Sequence, residues 1–193
     1  MSEIVIGIFI GGAGKRMGGV AKGLLKAPAS SETLVARLLR VCTESVPKAS
    51  LYLVGQSPLY ASFGLRQLAD DPRDVGPIGG LRSLLLRAQA DGGERALALA
   101  CDLPFIDDAM LQLLSAPLKA AARVPLVEGR FQPLAATYAP GPTLAAVERA
   151  LVAERRALMQ LLDELGTDVE RIEVDANRAQ ILRDWDTPDD LAR

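Results

Sequence analysis

Apolar residues follow two rhythms along this chain, and the two take turns. Residues 4–10 form an almost unbroken, largely β-branched run that reads as a buried strand. Ser30 or Ser31 can then cap a helix to about Glu44, with Leu34, Val35, Leu38, Leu39 and Cys42 recurring on one face. Residues 51–54 read as a short strand ending at Gly55-Gln56-Ser57-Pro58, and 66–69 as a weaker third strand. A helix over 81–90 is stopped by Gly92-Gly93. The run 95–100 is close to continuously apolar, as a central parallel strand must be when helices cover both its faces. Beyond it, 123–128 and 131–138 read as a hairpin around Gly129-Arg130. Leu144, Val147 and Leu151 mark one helix; Leu158, Leu161, Leu162 and Leu165 mark another that Gly166 ends. Segments 170–175 and 180–185 read as two further short strands. Alternation over short connections predicts one α/β domain with a mostly parallel sheet. Ligands of such sheets sit beyond the carboxyl ends of the strands.

Composition narrows the chemistry. With 193 residues, 49% of them hydrophobic and 24% charged, the chain supports a single domain with a sizeable core. A net charge of −2 gives no reason to expect nucleic acid as a partner. No window reaches the roughly 18 apolar residues of a membrane span, and the first run, which carries Glu3 and ends in glycines, is a strand rather than a signal peptide. Cys42 and Cys101, both in apolar contexts, read as reduced thiols of a cytoplasmic protein. The chain has no histidine. That excludes Ser-His-Asp and Cys-His catalysis and most zinc sites, leaving carboxylates, lysine, arginine and a hard metal ion.

Seven of the 17 glycines fall between Gly7 and Gly23, interleaved with Lys15, Arg16 and Lys22. Successive backbone amides of such a loop form an anion-binding concavity, and the cations add full charges, so the stretch reads as a polyphosphate cradle after the first strand. The spacing fits neither a P-loop nor a dinucleotide fingerprint, since Arg16 follows Gly14-Lys15 and Met17 stands where glycine or alanine is needed. Asp102 ends the central strand; it is either a turn or cap residue or a magnesium ligand facing the phosphates, and Asp107 is better placed to cap the next helix. Asp184 and Asp186 share one face of an extended segment, with Trp185 opposite, and could chelate a metal with Asp102. Thr187-Pro188-Asp189-Asp190 is a well-formed helix start. Glu154-Arg155-Arg156 is either a solvated face or a clamp for an acceptor phosphate.

The stretch Gly11-Gly12-x-x-x-Arg16-Met17-Gly18-Gly19-x-x-Lys22-Gly23-Leu24 resembles the opening motif of the nucleotidyltransferase superfamily, most closely that of the molybdenum cofactor guanylyltransferases. Asp71 with Gly76-Pro77-x-x-Gly80-Leu81, Cys101-Asp102-x-Pro104-Phe105, and Arg130-Phe131-Gln132-Pro133-Leu134 resemble later motifs of the same family, in the same order. Three positions depart: Ala21 where the family usually carries aspartate, and Asp184 and Asp186 of Asp184-x-Asp186-Thr-Pro, where guanylyltransferases often carry asparagines and related nucleotidyltransferases aspartates. The resemblance implies a single-domain, Rossmann-like three-layer α/β/α nucleotidyltransferase fold. About residues 1–105 would bind nucleotide and 106–193 the acceptor. It implies a cytoplasmic, Mg²⁺-dependent enzyme that moves GMP from GTP to molybdopterin, with molybdenum cofactor delivery proteins and apo-molybdoenzymes as further partners. Arg16, Lys22 and Asp102 would be catalytic; Ile10, Gly11, Gly12, Ala13, Gly14, Gly18, Gly19, Lys22, Gln56, Asp71, Gly76 and Gly80 would bind the nucleotide; Asp102, Asp184 and Asp186 would hold the metal. The alternatives are a related transferase using CTP or a sugar phosphate, and a degenerate nucleotide-binding module.

Overall fold

A computed structural model of the chain describes residues 3–11 and 21–185. Strands β1 (Ile4–Phe9), β2 (Ser50–Val54), β3 (Gln67–Leu68) and β4 (Arg95–Ala100) pair in the order β3-β2-β1-β4, all parallel. The sheet continues with β5 (Ala122–Val127), β6 (Arg130–Phe131), β7 (Ala135–Tyr138) and β8 (Val169–Val174). Here β7 runs antiparallel between β4 and the start of β5, β6 pairs the far end of β5, and β8 lies parallel along its other edge. Only β6 and β7 run against the rest, so the sheet is mixed but mostly parallel, as expected.

Helices α1 (Leu34–Ser45) and α3 (Asp108–Ser115) cover one face; α2 (Pro77–Ala90), α4 (Pro140–Val152) and α5 (Leu158–Leu165) cover the other. Alternation along each strand decides which residue meets which layer. Ile4, Ile6 and Ile8 of β1 and Leu97 and Leu99 of β4 pack with Val35, Leu38 and Cys42 of α1. The opposite face carries small residues, Gly7, Ala96, Ala98 and Ala136, and there α2 comes in close. A Cβ on Gly7 would stand 2.7 Å from Leu84 Cδ1 and 2.8 Å from Val54 Cγ2, so glycine in mid-strand is a packing requirement.

Several boundaries differ from the expectation for local reasons. Thr33 caps α1, accepting from the Ala36 amide at 3.2 Å, while Ser30 is occupied with the Glu32 amide. Helix α2 starts at Pro77, four residues early, because Gly76 at φ 79° turns the chain and proline suits a first helical position. The hairpin turn is Glu128-Gly129, with φ of 48° and 77°, matching a two-residue type I′ turn. The expected strand 131–138 is broken at Gln132-Pro133-Leu134, whose Gln132 amide bonds back to the Pro125 carbonyl at 2.9 Å. The expected strand 180–185 is not formed: Asp175 accepts from the Asn177 amide at 2.7 Å and starts a 3₁₀ helix, Ala176–Leu182. A side chain that caps its own following turn favours the helical alternative over a ladder. The helix start at Thr187 lies outside the described residues.

Candidate functional site

The carboxyl ends of β1, β2, β3 and β4 meet on one edge and are stitched together there by main chain. Ile10 donates to Val54 O at 2.9 Å, Gly55 to Leu68 O at 2.8 Å and Cys101 to Phe9 O at 3.1 Å. Gly55 sits at φ 105°, and a Cβ there would come 3.0 Å from the Gly11 amide nitrogen, so the ends of β1 and β2 touch backbone to backbone. Gln56 follows directly and is exposed. Ile10, Gly11 and Gln56 thus share this edge. Gly12, Ala13, Gly14, Arg16, Gly18 and Gly19 lie outside the described residues.

The described chain resumes at Ala21, and Lys22–Leu24 is one 3₁₀ turn that closes with Leu24 N to Ala21 O at 2.9 Å. Gly23 is wedged: a Cβ on it would lie 2.5 Å from Val35 Cγ2 and 2.8 Å from the Tyr60 hydroxyl. From this seat Lys22 Nζ donates to Asp102 Oδ2 at 2.9 Å, across 80 residues of sequence. The two side chains are 19% and 15% exposed, so opposite charges meet in a shielded place, where their attraction is stronger than in bulk water. Asp107, not Asp102, caps α3, accepting from the Met110 amide at 2.8 Å, and the capping role expected for it is therefore filled.

Behind the pair the groups are neutral. Burial pushes the Cys101 thiol up to about 12, with the Asp102 charge adding to it, and burial followed by Cys101 pushes the Tyr60 phenol up to about 12. Cys42 is likewise raised to about 12 by burial. Both cysteines are free and buried thiols, too weakly acidic to serve as nucleophiles near neutral pH.

Two further segments reach the tip of β4. Ala100 donates to Leu134 O at 2.7 Å, and the Tyr138 hydroxyl donates to Pro133 O at 2.8 Å, so the Gln132-Pro133-Leu134 break lies beside the strand that Asp102 ends. The Trp185 amide donates to the Asp102 carbonyl at 3.1 Å, which brings the exposed Asp184 next to the same tip. Asp186 lies outside the described residues, and among those described no group of three His, Cys, Asp or Glu side chains gathers to hold a metal. Asp102 and Asp184 belong to segments that meet at this strand tip, and their hard oxygen donors suit a magnesium ion.

At the β3 end, sequence reasoning named Asp71 and passed over its neighbour. Asp71 is 62% exposed and accepts from Arg82, which also reaches Glu148 of α4 at 2.8 Å. Asp70 is the half-buried carboxylate, its Oδ1 3.1 Å from where a Cβ on Gly80 would stand. Burial pushes the Asp70 carboxyl above its usual range, and the nearby charge of Asp74 adds to the shift. Two adjacent aspartates look alike as letters; only which one turns inward separates them. Gly80 is explained by packing, since its Cβ would come 2.8 Å from Val54 Cγ1 and 2.9 Å from Phe9 Cε1, whereas Gly76 is required by its positive φ and has open space around it. Arg155 donates to Glu164 at 2.7 Å and Arg156 is exposed, which favours the solvated-face reading of that stretch.

A mostly parallel sheet thus brings a lysine-bearing turn and a strand-tip aspartate face to face at its carboxyl edge. The MobA-like NTP transferase domain matches residues 6–169, and the chain belongs to that family. A molybdenum cofactor guanylyltransferase of Acidiphilium cryptum is 34% identical over 75% of this chain and 70% of its own length. One of Pseudomonas aeruginosa is 32% identical over 96% of this chain and 91% of its own. Among solved structures, the molybdopterin-guanine dinucleotide biosynthesis protein A of Archaeoglobus fulgidus has a TM-score of 0.75 at 22% identity, covering 98% of this chain and 95% of that one, which supports the fold.

Proposed function

We propose that this nucleotidyltransferase moves GMP from GTP to the phosphate of molybdopterin, forming molybdopterin guanine dinucleotide and releasing pyrophosphate. The names of its relatives point to this reaction, and the Lys22–Asp102 ion pair at the carboxyl edge is the observation that carries it to this chain's own residues. An acceptor phosphate oxygen attacks the α-phosphorus in line; the bond from that phosphorus to the bridging oxygen breaks, and its electron pair leaves with pyrophosphate. Such a reaction consists mainly of positioning and charge neutralisation. The glycine loop, Gly11, Gly12, Ala13, Gly14, Gly18 and Gly19, would bind the phosphates, with Arg16 and Lys22 balancing their charge, while Ile10, whose amide is held by Val54 O, would lie toward the base. Gln56, Asp71, Gly76 and Gly80 border the rest of the nucleotide, and the half-buried Asp70 joins them as an acceptor for a ligand N–H or O–H.

Asp102, Asp184 and Asp186 are the carboxylates that would hold Mg²⁺, which when bound neutralises charge on the phosphates. A phosphomonoester has a second pKa near 6, so the nucleophile is already largely ionised at neutral pH. No general base is needed, in keeping with a chain that has no histidine and only un-ionised thiols. We divide the domain into a nucleotide-binding part, about residues 1–105, and an acceptor-binding part, 106–193, which includes the Gln132–Leu134 segment beside the β4 tip. Among the described residues no helix is long and apolar enough to cross a membrane. The two free, buried cysteines suit a reducing cytoplasm, where molybdenum cofactor delivery proteins and apo-molybdoenzymes would be partners.

The test is pyrophosphate release from each of the four nucleoside triphosphates, with and without molybdopterin, in Mg²⁺ and in EDTA. Release from GTP that depends on both molybdopterin and Mg²⁺ is expected. Release with CTP alone would reassign the substrate, and tight GTP binding without turnover would leave a binding module.

A further inference from the structure

Trp185 is the chain's single tryptophan, and three segments of the candidate site meet on it. Its amide donates to the Asp102 carbonyl at 3.1 Å. Its indole is 7% exposed and packs with Ala27 and Leu34, flanked by Leu25 and Phe105. The Phe105 ring stands edge-on to it, centroids 6.3 Å apart at 82°. Leu25 and Ala27 belong to the exit of the Lys22 turn, Phe105 to the loop after Asp102, and Asp184 immediately precedes Trp185.

We propose that Trp185 is a positioning residue: it anchors the C-terminal segment to the tip of β4, so that Asp184 stands beside Asp102 and the two carboxylates hold one divalent cation. The inference rests on the reading of Asp102 as a metal ligand given above. The physical need is plain. Asp184 lies past the 3₁₀ helix Ala176–Leu182, on a segment that among the described residues joins no strand ladder, and two carboxylates at one place repel each other. Something other than their own interaction must bring them together before the cation arrives. One backbone hydrogen bond and a buried indole do so, in the way that outer partners of metal ligands fix ligand orientation. The same indole leans on the chain leaving Lys22, so both sides of the ion pair share one anchor.

The single tryptophan makes the native chain its own reporter. Terbium, a hard oxygen-seeking ion, is added and Trp185 is excited at the red edge of indole absorption, where tyrosine does not absorb. Sensitised terbium emission should rise to saturation, be competed away by Mg²⁺, and fall in Asp102→Asn and in Asp184→Asn. Terbium binding that calorimetry detects and Asp102→Asn abolishes, but without sensitised emission, would overturn the anchor while leaving the metal reading intact. Binding indifferent to Asp102→Asn would remove the metal reading and the anchor together.

Variants then test the coupling. Trp185→Ala should raise the Mg²⁺ concentration for half-maximal GTP binding by roughly 10–100-fold, the range for lost outer partners of metal ligands, and Trp185→Phe should recover most of it. In an Asp184→Asn background the same truncation should add less than about twofold, since residues acting through one another are not additive. Equal losses in both backgrounds would mean a structural role only and overturn the proposal. Should Trp185→Ala not fold, the terbium measurement on the native chain still decides.

Discussion

Asp102 and Asp70 stand at the carboxyl edge of the same sheet, at the tips of β4 and β3, in opposite company. Asp102 has an ammonium group at 2.9 Å, delivered by a turn that Val35 and Tyr60 hold in place. Asp70 is half-buried against the start of α2, and the charge that acts on it is the like charge of Asp74. The cation that could have served it, Arg82, is turned to Asp71 and Glu148. One strand tip is therefore compensated and the other is kept under electrostatic tension. A compensated carboxylate can share its cation's place with a metal, while a desolvated one gains most from a ligand that brings it a donor. On the proposed reading, function at this edge would divide along that line: charge handling at β4, ligand hydrogen bonding at β3.

The largest expected effect falls on the compensated side. Asp102→Ala should lower Mg²⁺-dependent turnover by at least about 10²–10³-fold, the scale for losing one preorganised charge partner, while the protein still melts cooperatively. Pyrophosphate release and a thermal scan check both halves, and near-normal turnover would erase the distinction between the two tips. Lys22→Ala comes next and should weaken GTP binding by about 1.5–3 kcal/mol, the usual worth of a hydrogen bond to a charged group. Calorimetric titration reads this directly, and unchanged affinity would take Lys22 out of the phosphate cradle.

Gly23→Ala tests whether the turn's seat matters. The added methyl would press on Val35 Cγ2 at 2.5 Å, and overpacking of this kind costs typically 1–3 kcal/mol. A lower melting temperature that a second change, Val35→Ala, largely restores is the expected pattern; an unshifted melting temperature would mean that the wedge yields freely. The smallest effect belongs to Asp70→Asn, and its sign depends on pH. Because the folded-state pKa of Asp70 is raised, the cost of its carboxylate is absent at acid pH, where both folded and unfolded states are protonated, and sets in as pH rises through the unfolded value toward the folded one. The variant should therefore melt higher than the parent at neutral pH, with the gap closing as the medium is acidified, and should bind GTP less tightly. A gap that persisted in acid would point away from ionisation as its cause.

Much of this was legible in the letters. The β4 boundaries, the capping role of Asp107, the α4 and α5 helices and the glycine that ends α5 all followed from local pattern, because each depends on residues within a turn or a pleat of one another. Lys22 and Asp102 could each be singled out, by a cationic glycine loop and by a carboxylate on an apolar strand. The missed features are those in which a local choice is settled from elsewhere. Segment 180–185 alternates well enough for a strand, but Asp175 starts a helical turn ahead of it instead. Trp185 reads as the far face of an extended pair, yet its weight lies in three segments that converge on it.

The sequence by itself determined the alternation of strands and helices, since period and run length are intrinsic to the chain, and it determined the kinds of chemistry open to a protein with a cationic glycine loop and no histidine. Only the tertiary structure decided which of two adjacent aspartates turns inward, which acid meets the lysine, and where the last segment is fastened. Those outcomes depend on burial and on charges brought together across 80 residues, and energies of that kind have no signature until the chain has closed on itself.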